Sequence, residues 1–295
     1  MDKPDLIPVQ DLGRANPVIW EGEDQAQGVF LDTGASDDPL ALLGTPSLQP
    51  REEPRLPSDF EAAPALRDIL ETLRDDLLRA ARGEAFGERI EIAKLETASR
   101  EALPLMLGRG EVSGRVTLDS VTYEITESIM AGLWHIRGED HSEWLEVATV
   151  PAIVEQAAAN LGQAPIPLPR DRPGIMNGLA VLAEVSEHAA RWDGSAEHNR
   201  VLNFTLMPMS PQDLELLTDV LGRADLVLES GGFGNCKIMA TTVRHVWAVQ
   251  YLNAMGNTIL DTLEIGRIPD AALAAPQDLE DSAGRLEHML ETYLS

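Results

Sequence analysis

The sequence predicts an α+β protein of two tandem homologous modules, each with helices packed on a mainly antiparallel sheet, behind a flexible acidic N-terminal tail. Three observations carry that prediction. Apolar residues switch along the chain between the helical and the extended period. Short markers recur at a nearly constant offset. The first 60 residues have the composition of a tail rather than a core. At 295 residues the chain is long enough for one large domain or two small ones.

Residues 1–60 hold twelve acidic and four basic side chains and eight of the 19 prolines. Such a segment buries too little apolar surface to offset the entropy of ordering it, so it is predicted to be largely disordered, with VFLDTG as a short strand. The first module, 61–162, opens with Leu66, Ile69, Leu70, Leu73 and Leu77 on one helix face. After Gly83, ERIEI reads as a strand and TASREALPLMLG as a short helix. VSGRVTL then alternates with period two, with Val112, Val116 and Leu118 on one side. YEITES, MAGLWHI and EWLEVATV read as further strands, and the Ala-rich PAIVEQAAANLG closes the module as a helix. Residues 163–173, rich in proline, read as a linker.

The second module, 174–275, repeats that order. A helix carries Ile175, Leu179, Leu182 and Val185 on one face, and RVLNF matches ERIEI. In SPQDLELLTDVLG, Ser210 is placed as N-cap, Pro211 at the first helical position and Asp213 to complete a capping box. LVLES, CKIMATT, HVWAVQYL and TILDTLEIG follow as strands. Leu221-Gly222-Arg223 restates Leu107-Gly108-Arg109 at an offset of 114, and LEIGRIP restates LEVATVP at 118. Two such modules are expected to pair about a pseudo-twofold axis, because equivalent apolar faces are self-complementary. Residues 276–295 form a last helix with Leu279, Leu286, Met289, Leu290 and Tyr293 on one face.

The 23 basic residues stand against 49 acidic ones, a formal charge of −26. That field repels a phosphate backbone and argues against nucleic acid; it favours a basic peptide or basic domain as partner. One cysteine, Cys236, excludes an internal disulfide, a paired-thiolate zinc site and a self-contained four-cysteine iron–sulfur site. No basic start precedes an apolar run and no stretch approaches the roughly 18 apolar residues of a membrane span, so the chain is assigned to the cytoplasm without membrane insertion.

The motifs with chemical overtones resolve into structure. LDTGAS holds the Asp-Thr-Gly of an aspartic protease at Asp32, and IGR at Ile265–Arg267 resembles the later signature of the dimeric retroviral type. That chemistry needs two carboxylates sharing a proton, whereas one such loop exists here. IGR is also the repeat counterpart of Val147-Ala148-Thr149, so Asp32 reads as a turn residue. GGFGNC, ending at Cys236, is followed by a strand rather than the helix a phosphate loop needs, and reads as a tight turn. His135 and His141 flank Glu139 and Asp140, but the spacing matches no metal motif. No catalytic residue, metal ligand or cofactor is expected. Trp134 and Trp247 lie in apolar strand runs and read as core, while Trp144 and Trp192, bordered by charges, read as interface residues.

The stretch GFGNCKIMATTVRHVWAVQYLNAMGNTILDTLEIGRIPDAALAAPQDL strongly resembles the HupH/HyaF family of hydrogenase expression and formation proteins. LPLMLGRGEVSGRV, ITESIMAGLWHIRG, EWLEVATVPAIV and NGLAVLAEVSEHAARW extend the resemblance over the rest of the body. It implies an accessory chaperone of [NiFe]-hydrogenase maturation, not an enzyme. Such a protein would bind the iron–sulfur small-subunit precursor before assembly and twin-arginine export, with a thioredoxin-like companion chaperone. Gly234, Asn235 and Cys236 match the family's most distinctive motif and, with Trp144 and Trp192, are the candidates for partner contact. The alternatives are a scaffold bridging other maturation factors and a dimeric aspartic protease using Asp32.

Overall fold

Helix α1 (Pro64–Ala81) forms where the sequence spaces leucine for one face, and it buries Leu66, Leu70, Leu73 and Leu77. A computed structural model describes residues 64–84, 89–162, 166, 168, 173–196, 198–231 and 235–293. The tail expected over residues 1–60, with the VFLDTG strand and Asp32, lies outside the described residues.

After α1 come β1 (Ile90–Glu91), a 3-10 turn at Ile92–Lys94, α2 (Thr97–Leu107), β2 (Val112–Leu118), β3 (Val121–Glu127), β4 (Leu133–Gly138), β5 (Glu143–Val147) and α3 (Ala152–Ala159). The chain continues through α4 (Gly178–Arg191), β6 (Arg200–Asn203), α5 (Pro211–Leu221), β7 (Leu226–Ser230), β8 (Asn235–Ala240), β9 (Val246–Leu252) and β10 (Thr258–Ile265). A second 3-10 turn at Asp270–Ala272 leads into α6 (Pro276–Tyr293). The chain is therefore a mixture of helices and antiparallel strands. Among the described residues of ERIEI, Ile90 and Glu91 pair with Leu145 and Trp144 of β5, and Ile92 already begins the 3-10 turn.

Among the described residues ten strands form one sheet in the order β1-β5-β4-β3-β2-β7-β8-β9-β10-β6. Read outward from the central β2–β7 pair, each half has the same order. The local geometry repeats as well. Gly108 and Gly222 end α2 and α5 at φ of 57° and 59°, each donating its N–H to a carbonyl four residues back at 3.0 Å. Ile129 N donates to Leu107 O, and Thr242 N to Leu221 O, both at 2.9 Å. The hydroxyls of Ser128 and Thr241 close the same turn, between β3 and β4 and between β8 and β9.

The halves meet where five residues of β2 pair antiparallel with β7, Val112 against Ser230 through Val116 against Leu226. Gly114 sits in this seam opposite Leu228, and a Cβ there would lie 2.3 Å from Val227 O and 2.7 Å from Leu228 Cδ2. The seam therefore requires a residue without a side chain.

Each half also sends a segment into the other. Beyond α3, Gly162 reaches the β8–β9 turn, donating to Thr242 O at 2.9 Å and accepting from Arg244 N at 2.6 Å. In return, Ala274 N donates to Thr149 O at 2.9 Å, and α6 enters the first half. There Leu279 packs on Gly132 of the β3–β4 turn, Arg285 Nη1 donates to Ile129 O at 3.3 Å, and Arg74 of α1 pairs with Glu287. Leu279, Ala283, Leu286, Met289 and Leu290 share one apolar cluster with α1, α2, Leu133, Leu145 and Val147. On the same face of the sheet, α4 and α5 pack with Met239, Val246, Ala248, Leu263 and Ile265. Beneath the opposite face α3 and the second 3-10 turn cover the seam, burying Val116, Trp134, Ile136, Leu228, Ile238 and Trp247.

Candidate partner-binding surfaces

β-pairing sets Cys236 directly opposite Tyr251, and Trp247 opposite Glu264, so these side chains share the seam-side face of the second half. Cys236 is 3% exposed, and burial together with the nearby Glu264 charge pushes its thiol up to about 12, despite a hydrogen bond from Tyr251. Burial thus favours the neutral thiol, the less nucleophilic form. Burial, followed by the neighbouring Cys236 and Glu264, likewise pushes the Tyr251 phenol up to about 12. Glu264, also raised by burial, accepts from Asn199 Nδ2 at 3.0 Å.

The five contact candidates from the sequence are not brought together. Gly234 lies outside the described residues, Asn235 begins β8 exposed, and Cys236 beside it points into the core. Trp144 is 5% exposed: its indole N–H donates to Glu146 at 3.2 Å, Tyr123 meets it edge-on, and the Arg89 guanidinium stacks over it at 4.7 Å. Trp192 ends α4 half-buried, with the His245 ring 6.0 Å away. Trp134 and Trp247 are core residues, as their apolar strands indicate.

His135 and His141 also separate. His141 sits in an exposed turn at φ 66°, while the His135 ring bonds Glu143 on the adjacent strand at 2.7 Å. Burial lowers the His135 pKa. Among the described residues no group of three or more His, Cys, Asp or Glu is arranged to hold a metal ion. None of the described helices is long and apolar enough to cross a membrane. Glu127, at the end of β3, is pushed up to about 7 by burial, against hydrogen bonds from the backbone of Gly132 and Val112. Near the centre of the opposite face, a shallow recess is lined by Arg115, Glu124 and Arg137, whose alternating charges give it no dominant sign.

The sequence marked Asp213 as a capping residue, and the structure gives it more to do. Its Oδ2 accepts from Ser210 N at 2.8 Å, closing the capping box. Its Oδ1 accepts from Met176, Asn177 and Gly178 N–H groups at 2.8 to 3.1 Å, tying the entry of α4 to the start of α5. Burial favours the neutral acid, but these four donors win and hold the carboxyl down at about 2. Ser210 Oγ donates to Gly174 O, and Asn177 Nδ2 to Pro208 O, which completes the clip. Only the local half of this arrangement has a sequence signal; the contacts 36 residues away have none.

A profile described as the HupH hydrogenase expression protein, C-terminal conserved region, matches residues 175–293. The hydrogenase expression/formation protein HupH of Rhizobium leguminosarum is 40% identical over 229 residues, spanning 74% of this chain and 79% of the relative. The chain belongs to the HupH family of hydrogenase expression and formation proteins. Similarity to other members runs nearly end to end. The hydrogenase expression/formation protein HoxQ of Cupriavidus necator is 36% identical across 93% of this chain and 96% of its own. The hydrogenase-1 operon protein HyaF of Escherichia coli is 32% identical across 88% and 93%. A solved structure of the hydrogenase expression protein HupH from Thiobacillus denitrificans, 23% identical, covers 41% of this chain and 98% of its own with a TM-score of 0.37. The HupH profile spans α4 to α6, and therefore includes the Asp213 clip and the Cys236–Tyr251 pair.

Proposed function

We propose that this HupH-family protein serves hydrogenase maturation by binding rather than by catalysis. In this reading it is an accessory chaperone that holds the iron–sulfur small-subunit precursor of a nickel–iron hydrogenase, in the cytoplasm, until assembly and twin-arginine export. A thioredoxin-like chaperone is its companion. The observation that carries the reading is similarity to a hydrogenase expression/formation protein over nearly the full length of both chains. The formal charge of −26 supports it, because an anionic surface attracts the basic start of a twin-arginine signal peptide and speeds encounter. Descent of the two halves from one duplicated unit is part of the same proposal, supported by the mirrored strand order. Asn235 and Trp192 remain contact candidates on accessible parts of the chain; Cys236 and Trp144 act from beneath the surface by shaping it.

A pull-down of the small subunit with and without its signal peptide tests this at low salt. The proposal expects capture of both forms, stronger for the form with the signal peptide and weakened by added salt. No association of either form contradicts it, and capture of the signal-free form alone removes the electrostatic part. Capture of the companion chaperone without the precursor would favour the scaffold.

A further inference from the structure

Among the described residues Glu127 is the only buried glutamate, and it lies where three turns of the first half meet. Its Oε1 accepts from Gly132 N in the β3–β4 turn at 2.9 Å. Gly132 O in turn accepts from Ala148 N, just after β5, at 2.9 Å, and the next residue, Thr149, takes the N–H of Ala274 ahead of α6 at the same distance. Leu279, in the first turns of α6, closes over Gly132 and leaves no room there for a Cβ. A buried carboxyl is thereby joined, contact by contact, to the start of the last helix. The groups that face it share its sign. Glu111 stands ahead of β2 and Asp278 at the start of α6, both exposed, and both add negative potential. The basic side chains of the same segments are engaged elsewhere, Arg109 with Ser113 Oγ at 3.2 Å and Arg285 with Ile129 O at 3.3 Å. The turns at 128–133 and 148–152 contain no charged residue, and Trp134 is the residue opposite Glu127 on β4.

The second half shows that the turn does not need this acid. Ala240 stands opposite Trp247 as Glu127 stands opposite Trp134, and Thr241 closes its turn as Ser128 does. Gly266 N donates to His245 O at 2.8 Å, repeating the bond from Ala148 N to Gly132 O. The same turn is therefore built over a buried alanine. Burying a carboxyl where a methyl group suffices costs stability, and the acid occurs in the half that α6 covers.

We propose that Glu127 is a pH-sensitive latch on α6: the neutral acid lets the helix close over the β3–β4 turn, and the carboxylate loosens its first turns. The neutral acid keeps an acceptor oxygen for Gly132 N and faces Glu111 and Asp278 without repulsion. The carboxylate, shut away from water beside two like charges, is relieved when the start of α6 moves off and water enters. Burial raises this carboxyl from 4.5 to about 7, so the closed form is complete in acid and weakens as pH rises through that range. What α6 uncovers on loosening is the apolar face formed by α1, Leu133, Leu145 and Val147.

Hydrogen–deuterium exchange of the full chain tests this, read as protection factors so that the intrinsic pH dependence of exchange is divided out. Between about pH 5 and about pH 8 the amides of residues 276–286 are expected to lose protection at least about tenfold more than those of α5 in the second half. In Glu127→Gln the same amides are expected to change by less than about twofold relative to α5. An equal fall in α5 and α6 would mark destabilisation of the whole chain and overturn the latch, as would a fall in Glu127→Gln as large as in the wild type. If Glu127→Gln fails to fold, Asp278→Asn, at an exposed position, carries the test. Removing that neighbouring charge is expected to move the pH at which protection stops falling, about 7 in the wild type, to a lower value; an unmoved plateau overturns the proposal.

Discussion

Glu127 is a carboxylate in a place that favours the acid. At 5% exposure it accepts from Gly132 N at 2.9 Å, with Glu111 and Asp278 adding negative potential. Its folded pKa of about 7 lies above the ordinary carboxyl value, so the unfolded chain gives up this proton first as pH rises. Its contribution is whole in acid and is lost between a pH of about 4.5 and about 7, a penalty of up to about 3 kcal/mol that then stays constant. Thermal unfolding across that range is expected to show wild type losing stability relative to Glu127→Gln, with the gap constant above pH of about 8; parallel curves would contradict the assignment. Residue chemistry was unevenly legible in the sequence. The capping box at Ser210 and Asp213 is local and could be read. Trp144 could not: its charged neighbour Glu143 points to the other face of the strand, and Glu146, two residues on, turns inward to take the indole N–H.

At the scale of elements, the seam between β2 and β7 depends on Gly114, where any side chain would strike the backbone of β7. Gly114→Val is expected to cost at least about 2 kcal/mol and to shift denaturant midpoints accordingly, whereas an unchanged midpoint would show that the seam tolerates a side chain. Helix α6 shows what periodicity conveys and what it omits. Its pattern announced an apolar face, but nothing local says that the face belongs to α1, some 200 residues earlier in the chain. Leu286→Ala, at a fully buried position, is expected to cost about 2 to 5 kcal/mol. Ending the chain at residue 275 is expected to leave the first half exposed to proteolysis before the second. If limited digestion cut the second half first, the placement of α6 would be wrong. The strands themselves were legible because period two survives wherever one face is buried, and β1 shortened because pairing with β5, not propensity, sets its length.

The described residues are built on one ten-stranded sheet whose halves are mirrored in strand order and clasped by segments each sends to the other. The repeat markers suggested which elements correspond, but the order of the strands in the sheet was not legible from them. They left open which strands would meet in the middle, because pairing across 114 residues is decided by shape at Gly114 and not by local pattern. The Asp213 clip was least legible of all, because one buried carboxylate joins segments about 36 positions apart. At this scale the proposed role is to bind an immature hydrogenase subunit. Calorimetric titration of the purified chain with the purified small-subunit precursor tests it most directly, with the cluster-loaded mature subunit as comparison. Saturable binding of the precursor, at least tenfold tighter than of the mature subunit, is the predicted result. No heat of binding with either, or equal affinity for both, would contradict the account.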